Sequence, residues 1–567
     1  MTSRRDFIER TALAAAGLIV PTYGSAARGG APSQAHAAGG LVDLLREPDA
    51  VIVQTSSANL TLARTAAGHW TGDGGIAIEA AARDGALRVF LEAPTAPIKR
   101  VYLRWRGAMN GVRFILGDAW ERAYGDLEWR GWVPDRVMPW YFLTYDGAVT
   151  DAYGVRTSPS AFCYWQADAE GMSLTADVRS GSTGVALSDR RLALCDVVCR
   201  AGQSGESSFA ALHAFCRQMC PTPRLPSFPV YGSNDWYWAY GKNSAETVRA
   251  DAQHLVELSP PVPNRPFVVI DDGWQPGRGQ DHAGAGAWDR GNDKFPDIAA
   301  LAAELTRAGV RPGIWVRPLQ APADAPDAWR SQRDRNALDP TVPDVLHKVA
   351  EDIARIRGWG FELVKHDYTT FDLFGRWGFQ MGTALTRDGW TFAAGSTRTN
   401  AEVISELYAT IRAAAGDSLV LGCNTVSHLS AGHFEICRIG DDTSGTEWAR
   451  TRKMGVNSLA FRGAQHGAFY VADADCAAVT TAVPWSLGRQ WLDLLSRSGT
   501  SLFVSLAPDA LGAAQRADLR TALARAAAHQ PLAEPVDWRE TVYPRRWRAM
   551  GATRTYDWIA PDGAGPP

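Results

Sequence analysis

The chain has 567 residues, 46% of them hydrophobic and 21% charged, with a formal net charge of −3. That length exceeds what one core organises, so two or three domains are expected, and the nearly balanced charge offers no broad basic field for nucleic acid. No run beyond the N-terminal leader approaches the ~20 apolar residues of a membrane-spanning helix, so a soluble mature protein is expected.

Residues 1–40 read as an address rather than as fold. Ser3-Arg4-Arg5-Asp6-Phe7-Ile8, followed by the apolar stretch 12–20, is similar to a twin-arginine export signal, and Ala35-His36-Ala37 offers a small-residue cleavage site. Periplasmic or secreted location is the expectation. From 41 to 220 short alternating runs at 87–91, 101–105, 112–116 and 172–178 are broken by Gly, Asp and Pro, which predicts an N-terminal β-sandwich. A helix over 207–219 leads into a linker at 221–229, marked by Pro221, Pro223, Pro226 and Pro229.

Eight cysteines are too few for a disulfide scaffold, and Cys195/Cys199 and Cys216/Cys220 lack the spacing and histidines of a zinc site, so they read as buried apolar fillers. The 22 tryptophans suit either a core or pockets that stack flat rings against sugars.

After Pro229 the rhythm becomes strand, loop, helix. Strands are expected at 230–236, 267–271, 311–316, 361–367, 419–424, 434–438, 468–472 and 501–505, and helices at 245–258, 298–308, 342–357, 401–415, 447–455, 485–496 and 513–527. This count fits a (β/α)8 TIM barrel over 230–530, with a short C-terminal tail at 531–567. The segment 427–432, between strands five and six, is too short for a full helix.

Chemistry in such a barrel belongs at the C-terminal strand ends. Strand one ends at Asp235-Trp236, two at Asp271-Asp272-Gly273-Trp274, three at Trp315-Val316-Arg317, four at Lys365-His366-Asp367, five at Cys423-Asn424, six at Arg438-Ile439-Gly440-Asp441-Asp442 and seven at Asp473-Ala474-Asp475. Any one of these reads as a loop carboxylate facing water; their shared placement does not. Lys365 and Asp367 alternate to one strand face, so the lysine is expected to hold the Asp367 carboxylate ionised, as a nucleophile requires.

In that order the motifs at 271–274, 365–367, 438–442 and 473–476 resemble the α-galactosidase clan of retaining glycosidases, chiefly glycoside hydrolase families 36 and 27, with the raffinose synthases as relatives. The resemblance spans about 229–505, and a preceding sandwich fits the family 36 layout. It implies Asp367 as nucleophile and Asp442, four residues after Arg438, as acid/base. It further implies Asp271 and Asp272 on distal sugar hydroxyls, Trp236 as aromatic platform, Trp315 in the sugar site, Lys365 and Arg438 as cations around the carboxylates, and Asn424 and Asp475 as further hydroxyl contacts. Retaining chemistry needs one ionised and one protonated carboxyl about 5 Å apart, with no metal or organic cofactor.

The chain departs from the family at Trp315-Val316-Arg317-Pro318, where relatives carry Trp-x-Glu-Pro, and at Cys423-Asn424-Thr425, where many bacterial relatives carry Cys-Ser-x-Gly. Arg317 is expected either to bind an acidic sugar group or to pair with a local acid such as Asp324 or Asp334. The resemblance therefore implies an exported retaining exo-α-glycosidase acting on an oligosaccharide or glycoside. The alternatives are a transglycosylase using the same two aspartates and a non-catalytic carbohydrate-binding relative.

Overall fold

In the strand Ile98–Arg106 the buried positions include Val101, Leu103 and Trp105, every second residue, and that alternation decides the architecture of the first part of the chain. The structure, a computed structural model, describes residues 41–277 and 286–559; the expected export signal lies outside the described residues. Ile98–Arg106 is central in a six-stranded antiparallel sheet, with Ala50–Thr55 on one side and Gly171–Asp177 on the other. A second, eight-stranded sheet runs from Ala63–Ala66 to Phe114–Gly117. The two sheets share a core, in which Phe142 of one meets Trp165 of the other at 5.8 Å between ring centroids. The helix Ser208–Met219, capped by the Ser207 hydroxyl, which accepts from the Ala210 amide, follows as expected and buries Leu212, Phe215 and Met219.

The strands of the parallel sheet that follows are almost wholly buried. Phe267–Ile270, Leu419–Gly422 and Leu502–Leu506 expose no face, which is how parallel strands read when both faces are covered. Nine strands form this sheet, in the order Val471–Asp473, Ile436–Arg438, Leu419–Gly422, Leu363–His366, Arg311–Val316, Phe267–Ile270, Tyr231–Asn234, Leu502–Leu506 and Cys476–Val479, and every pairing is parallel. The two edge strands are consecutive in the chain, parted only by Ala474 and Asp475, so the sheet returns on itself. The expected strand over 468–472 therefore starts later and is broken, because Asp475 takes a left-handed backbone with φ 73°. Helices Ala245–Leu258 and Ile298–Ala308 stand where the pattern puts them; Pro343–Gly358 packs Val345, Val349, Ile353 and Ile356 as one stripe. The short connection after strand five is the four-residue helix Ser427–Ser430.

Two further features differ from expectation. The helix over 447–455 continues through a π-turn at Arg452–Val456 into Asn457–Arg462. The stretch 531–567, expected as a tail, carries a three-stranded antiparallel sheet whose Trp547 is fully buried, and the Trp448 indole donates to the Trp558 carbonyl at 2.8 Å. All eight cysteines are free thiols, seven of them buried, and Trp105, Trp140, Trp165, Trp274 and Trp491 are core residues. No helix among the described residues is long and apolar enough to cross a membrane.

One backbone approach is tight enough to test the parallel sheet. Gly232 lies in register with Phe267, and a Cβ at 232 would fall 2.0 Å from the Phe267 carbonyl oxygen. Gly232→Ala is expected to destabilise by about 3 kcal/mol, whereas Gly358→Ala should stabilise by about 0.5 kcal/mol. At the latter position, the last of its helix, a Cβ meets nothing within 4 Å. Chemical denaturation of both variants checks the contrast; equal midpoints would contradict the register.

Candidate active site

The strand Leu363–His366 delivers Asp367 just beyond its end, where the aspartate amide still donates to the Val316 carbonyl at 3.0 Å. Tyr368 follows in a left-handed conformation, φ 66°, a strained setting for an aromatic residue that turns its amide back onto Asp367 Oδ1 at 2.8 Å. The Trp315 indole Nε1 donates to Asp367 Oδ2 at 3.1 Å. Each oxygen of this carboxylate thus has a donor, and its plane is fixed.

Lys365 does not do what its spacing predicted. Its ammonium pairs with Asp271 Oδ2 at 2.6 Å, not with Asp367. Burial by itself would lower the Lys365 pKa, but the Asp271 carboxylate, joined by Cys423 and Asp475, outweighs it and holds the ammonium well above the ordinary lysine value. Asp271 Oδ2 also accepts from Asn234 Nδ2 at 2.8 Å, and its Oδ1 from the Asp272 amide. Asp271 is thereby buried in a bonded cluster, while Asp272, partly exposed, accepts from Gln275 Nε2 at 2.7 Å. Asp235 stands behind them; burial and the neighbouring Asp271 charge push its carboxyl up to about 7.

Across the sheet Arg438, fully buried, meets Asp475 at 3.0 Å and Asp442 at 3.4 Å. Asp475 also accepts from the Thr443 amide at 2.7 Å, from the Thr443 hydroxyl at 2.9 Å and from the Tyr237 hydroxyl. It therefore organises the loop after strand six. Asp473 lies behind it, its carboxyl raised to about 6 by burial against the pull of Arg438. Cys423 joins the two halves: burial and the Asp367 charge raise its thiol, while Arg438, Lys365 and Arg122 act the other way.

Trp236 opens the short helix Trp236–Ala239, partly buried and edge-on to Tyr240 at 5.6 Å. Asn424, expected as a hydroxyl contact, is fully buried in the wall; its Nδ2 donates to Glu121 Oε2 at 2.6 Å and its Oδ1 accepts from the Phe371 amide. Arg317 grips Asp372 with Nε at 3.0 Å and Nη2 at 2.6 Å and lies 4.4 Å over the Tyr368 ring. Its fork is engaged by Asp372, 55 positions along the chain, which is the acid-pairing alternative with a partner other than Asp324 or Asp334.

Sequence reasoning missed the contribution of the antiparallel region. Ala123 forms a parallel bridge with Gly440, donating to the Ile439 carbonyl at 2.9 Å and accepting from the Asp441 amide at 2.8 Å. Arg122 thereby reaches Asp441 at 2.7 Å and Asp442 at 3.7 Å, while Glu121 touches Asn424, the Gly378 amide and the Tyr124 hydroxyl. Two charges in a β-rich stretch carry no sign that they enter another region's strand ends. Among the described residues no group of three or more His, Cys, Asp and Glu is arranged to hold a metal ion.

Solved structures of similar fold exist. The α-galactosidase of Thermus thermophilus in complex with p-nitrophenyl α-D-galactopyranoside matches with a TM-score of 0.59 at 16% identity, covering 90% of this chain and 99% of that one. The same enzyme with stachyose matches at 0.56 and 17%, covering 84% and 100%. A family 36 α-galactosidase of Geobacillus stearothermophilus with 1-deoxygalactonojirimycin matches at 0.55 and 14%, covering 84% and 72%. No protein-family model and no curated protein matches the sequence. At these identities the likeness is one of fold.

Glu121 supplies a test of the site's burial. Desolvation pushes its carboxyl from 4.5 up to about 7, against the pull of Arg122. A raised folded pKa means that the folded state binds more protons than the unfolded one between those values, so this contribution is complete below pH 4.5 and is lost as pH rises through 7. Glu121→Gln should therefore remove a fall in thermal stability across that window. Buried His366, His428 and His466, held down to about 3, 4 and 4 mainly by desolvation, act oppositely, their contribution being lost as pH drops below 6.5. They are common to both proteins, so the difference between the two Tm-versus-pH curves isolates Glu121. A flat difference would contradict the burial.

Proposed function

We propose that this chain is an exported retaining exo-α-glycosidase, acting most simply on α-galactosides by double displacement through a glycosyl ester of Asp367. The architecture that goes with it is a (β/α)8 barrel whose seventh strand is broken at Ala474-Asp475, preceded by a β-sandwich. The observation that carries the reading is the setting of Asp367, a carboxylate at a parallel strand end oriented by the Trp315 indole and the strained Tyr368 amide. Such a fixed anion suits in-line attack on an anomeric carbon.

In the first step an Asp367 oxygen bonds to the anomeric carbon as the bond to the leaving oxygen breaks, and Asp442 gives its proton to that oxygen. In the second, Asp442 takes a proton from water as the water oxygen displaces Asp367, and free sugar leaves. The geometry favours Asp442 over Asp441 for this work. Asp441 is buried between Arg122 at 2.7 Å and Arg450 at 2.8 Å, whereas Asp442 lies 3.4 Å from Arg438 and 3.7 Å from Arg122 and has a 17% exposed side chain. Asp272 and Trp236, both partly exposed, line the sugar side of the same strand ends. Support for the substrate comes from the fold, since solved proteins that share it carry α-galactoside and stachyose. Export rests on Ser3-Arg4-Arg5-Asp6-Phe7-Ile8, and lysines in place of Arg4 and Arg5 should hold the protein in the cytoplasm on cell fractionation.

With p-nitrophenyl α-galactoside, Asp367→Ala should lower kcat at least about 10⁴-fold, with partial rescue by azide and an azido-sugar product of inverted configuration. Undiminished turnover would remove Asp367 from the role. Asp442→Asn should slow alkyl glycosides far more than nitrophenyl ones, since only the former need a proton; that pattern in Asp441→Asn instead would move the assignment by one residue.

A further inference from the structure

We infer that Arg122, contributed by the N-terminal antiparallel region, is a positioning residue for the acid/base step: it clamps Asp441 as a fixed anion and so holds the adjacent Asp442 toward the leaving oxygen. The inference rests on the glycosidase reading above.

Three observations carry it. Arg122 is 1% exposed, yet its guanidinium lies 2.7 Å from Asp441 and 3.7 Å from Asp442, so a charge from another part of the fold is buried against both members of the tandem pair. Its backbone is fastened at the same place, because the Ala123–Gly440 bridge ties the segment to the loop that carries both aspartates. That segment is pinned at its other end by Asp118, whose carboxylate meets buried Arg462 at 2.8 Å. A flexible surface arginine would contribute little; one held from both ends has a fixed geometry to impart.

The division of labour follows from the distances. Asp441 is bound from two sides by Arg122 and Arg450, the nearest contacts made by either cation to a carboxylate. Arg438 likewise sits closer to Asp475 than to Asp442. Arg122 and Arg438 therefore each lie nearer to another carboxylate than to Asp442. Among the described residues, the charged and titratable groups around it include Arg438, Arg122, Asp441, Asp475 and Tyr237, with Arg450, Glu121 and Cys423 one contact further out. Removing Arg122 deletes a cation beside Asp442 and leaves the Asp441 anion less compensated, and both changes favour the protonated acid.

Kinetics of Arg122→Met and Arg122→Lys on methyl and p-nitrophenyl α-galactoside test this. Arg122→Met should lose about 100-fold in kcat/KM on the methyl glycoside and under about 10-fold on the nitrophenyl one. The alkaline limb of its pH profile should move to higher pH, and Arg122→Lys should restore most of the loss. Equal losses on both substrates with the limb unmoved would mark Arg122 as merely structural and overturn the proposal, as would unchanged kinetics. If Arg122→Met does not fold, Arg122→Gln, which keeps a polar side chain but no charge, carries the same comparison. A second readout is independent of activity: the unfolding midpoints of Arg122→Met, Asp441→Asn and the double variant should be non-additive, and additivity would overturn the clamp. Should the wild type cleave no α-glycoside, the glycosidase reading falls, while the midpoints still decide whether Arg122 clamps Asp441.

Discussion

A guanidinium buried as completely as Arg438 cannot be left uncompensated, and the arrangement of the site depends on that constraint. Removing such a charge from water costs several kcal/mol, which only well-placed carboxylates offset. Asp475 and Asp442 converge on Arg438, and the burial is deep enough that their pull, with that of Tyr237, raises the Arg438 pKa well above its ordinary value despite desolvation. The left-handed backbone at Asp475 lies at the break in the strand, and the Asp475 carboxylate that meets Arg438 also accepts from the Thr443 amide of the loop 439–443. On the opposite wall Lys365 and Asp271 form a second buried pair under the same rule, at 2.6 Å.

These pairs stabilise the fold weakly for their number, because desolvation consumes most of the Coulomb gain. Their effect lies in specificity of arrangement. Each fixes a rotamer at a strand end, so that Asp367, Asp272 and Asp442, none of them fully buried, are left at the rim of a charged but rigid floor. Rigid placement of this kind is what a two-carboxyl mechanism needs, since orientation and preorganised charge supply most of the rate.

Much of this was legible in the sequence, for a physical reason. A parallel strand buried on both faces must be an apolar run, so Phe267–Ile270 and Leu419–Gly422 announce themselves, and the charged residue that ends such a run marks the site's edge. Partner choice was not legible. Lys365 is two residues from Asp367 but bonds Asp271, 94 positions away, and Asn424 bonds Glu121 at a separation of 303. Spacing along one strand says which side chains share a face; it does not say which neighbouring strand brings a carboxylate closer. The same limit hid Asp372 behind Arg317 and hid the whole contribution of residues 118–124, which arrive from a β-rich region with no strand-end signature. Nor does an aspartate such as Asp475 advertise the left-handed backbone that ends its strand.

The proposed double displacement requires Asp367 to bond covalently to the sugar. Incubation with a 2-deoxy-2-fluoro-α-galactosyl donor that slows hydrolysis of the intermediate, followed by proteolysis and mass spectrometry, examines that bond itself. One fluorogalactosyl adduct per chain is expected, on Asp367, released when the trapped enzyme is left in substrate-free buffer. Label on another carboxylate, or turnover of an α-galactoside with inversion and no label, would contradict it.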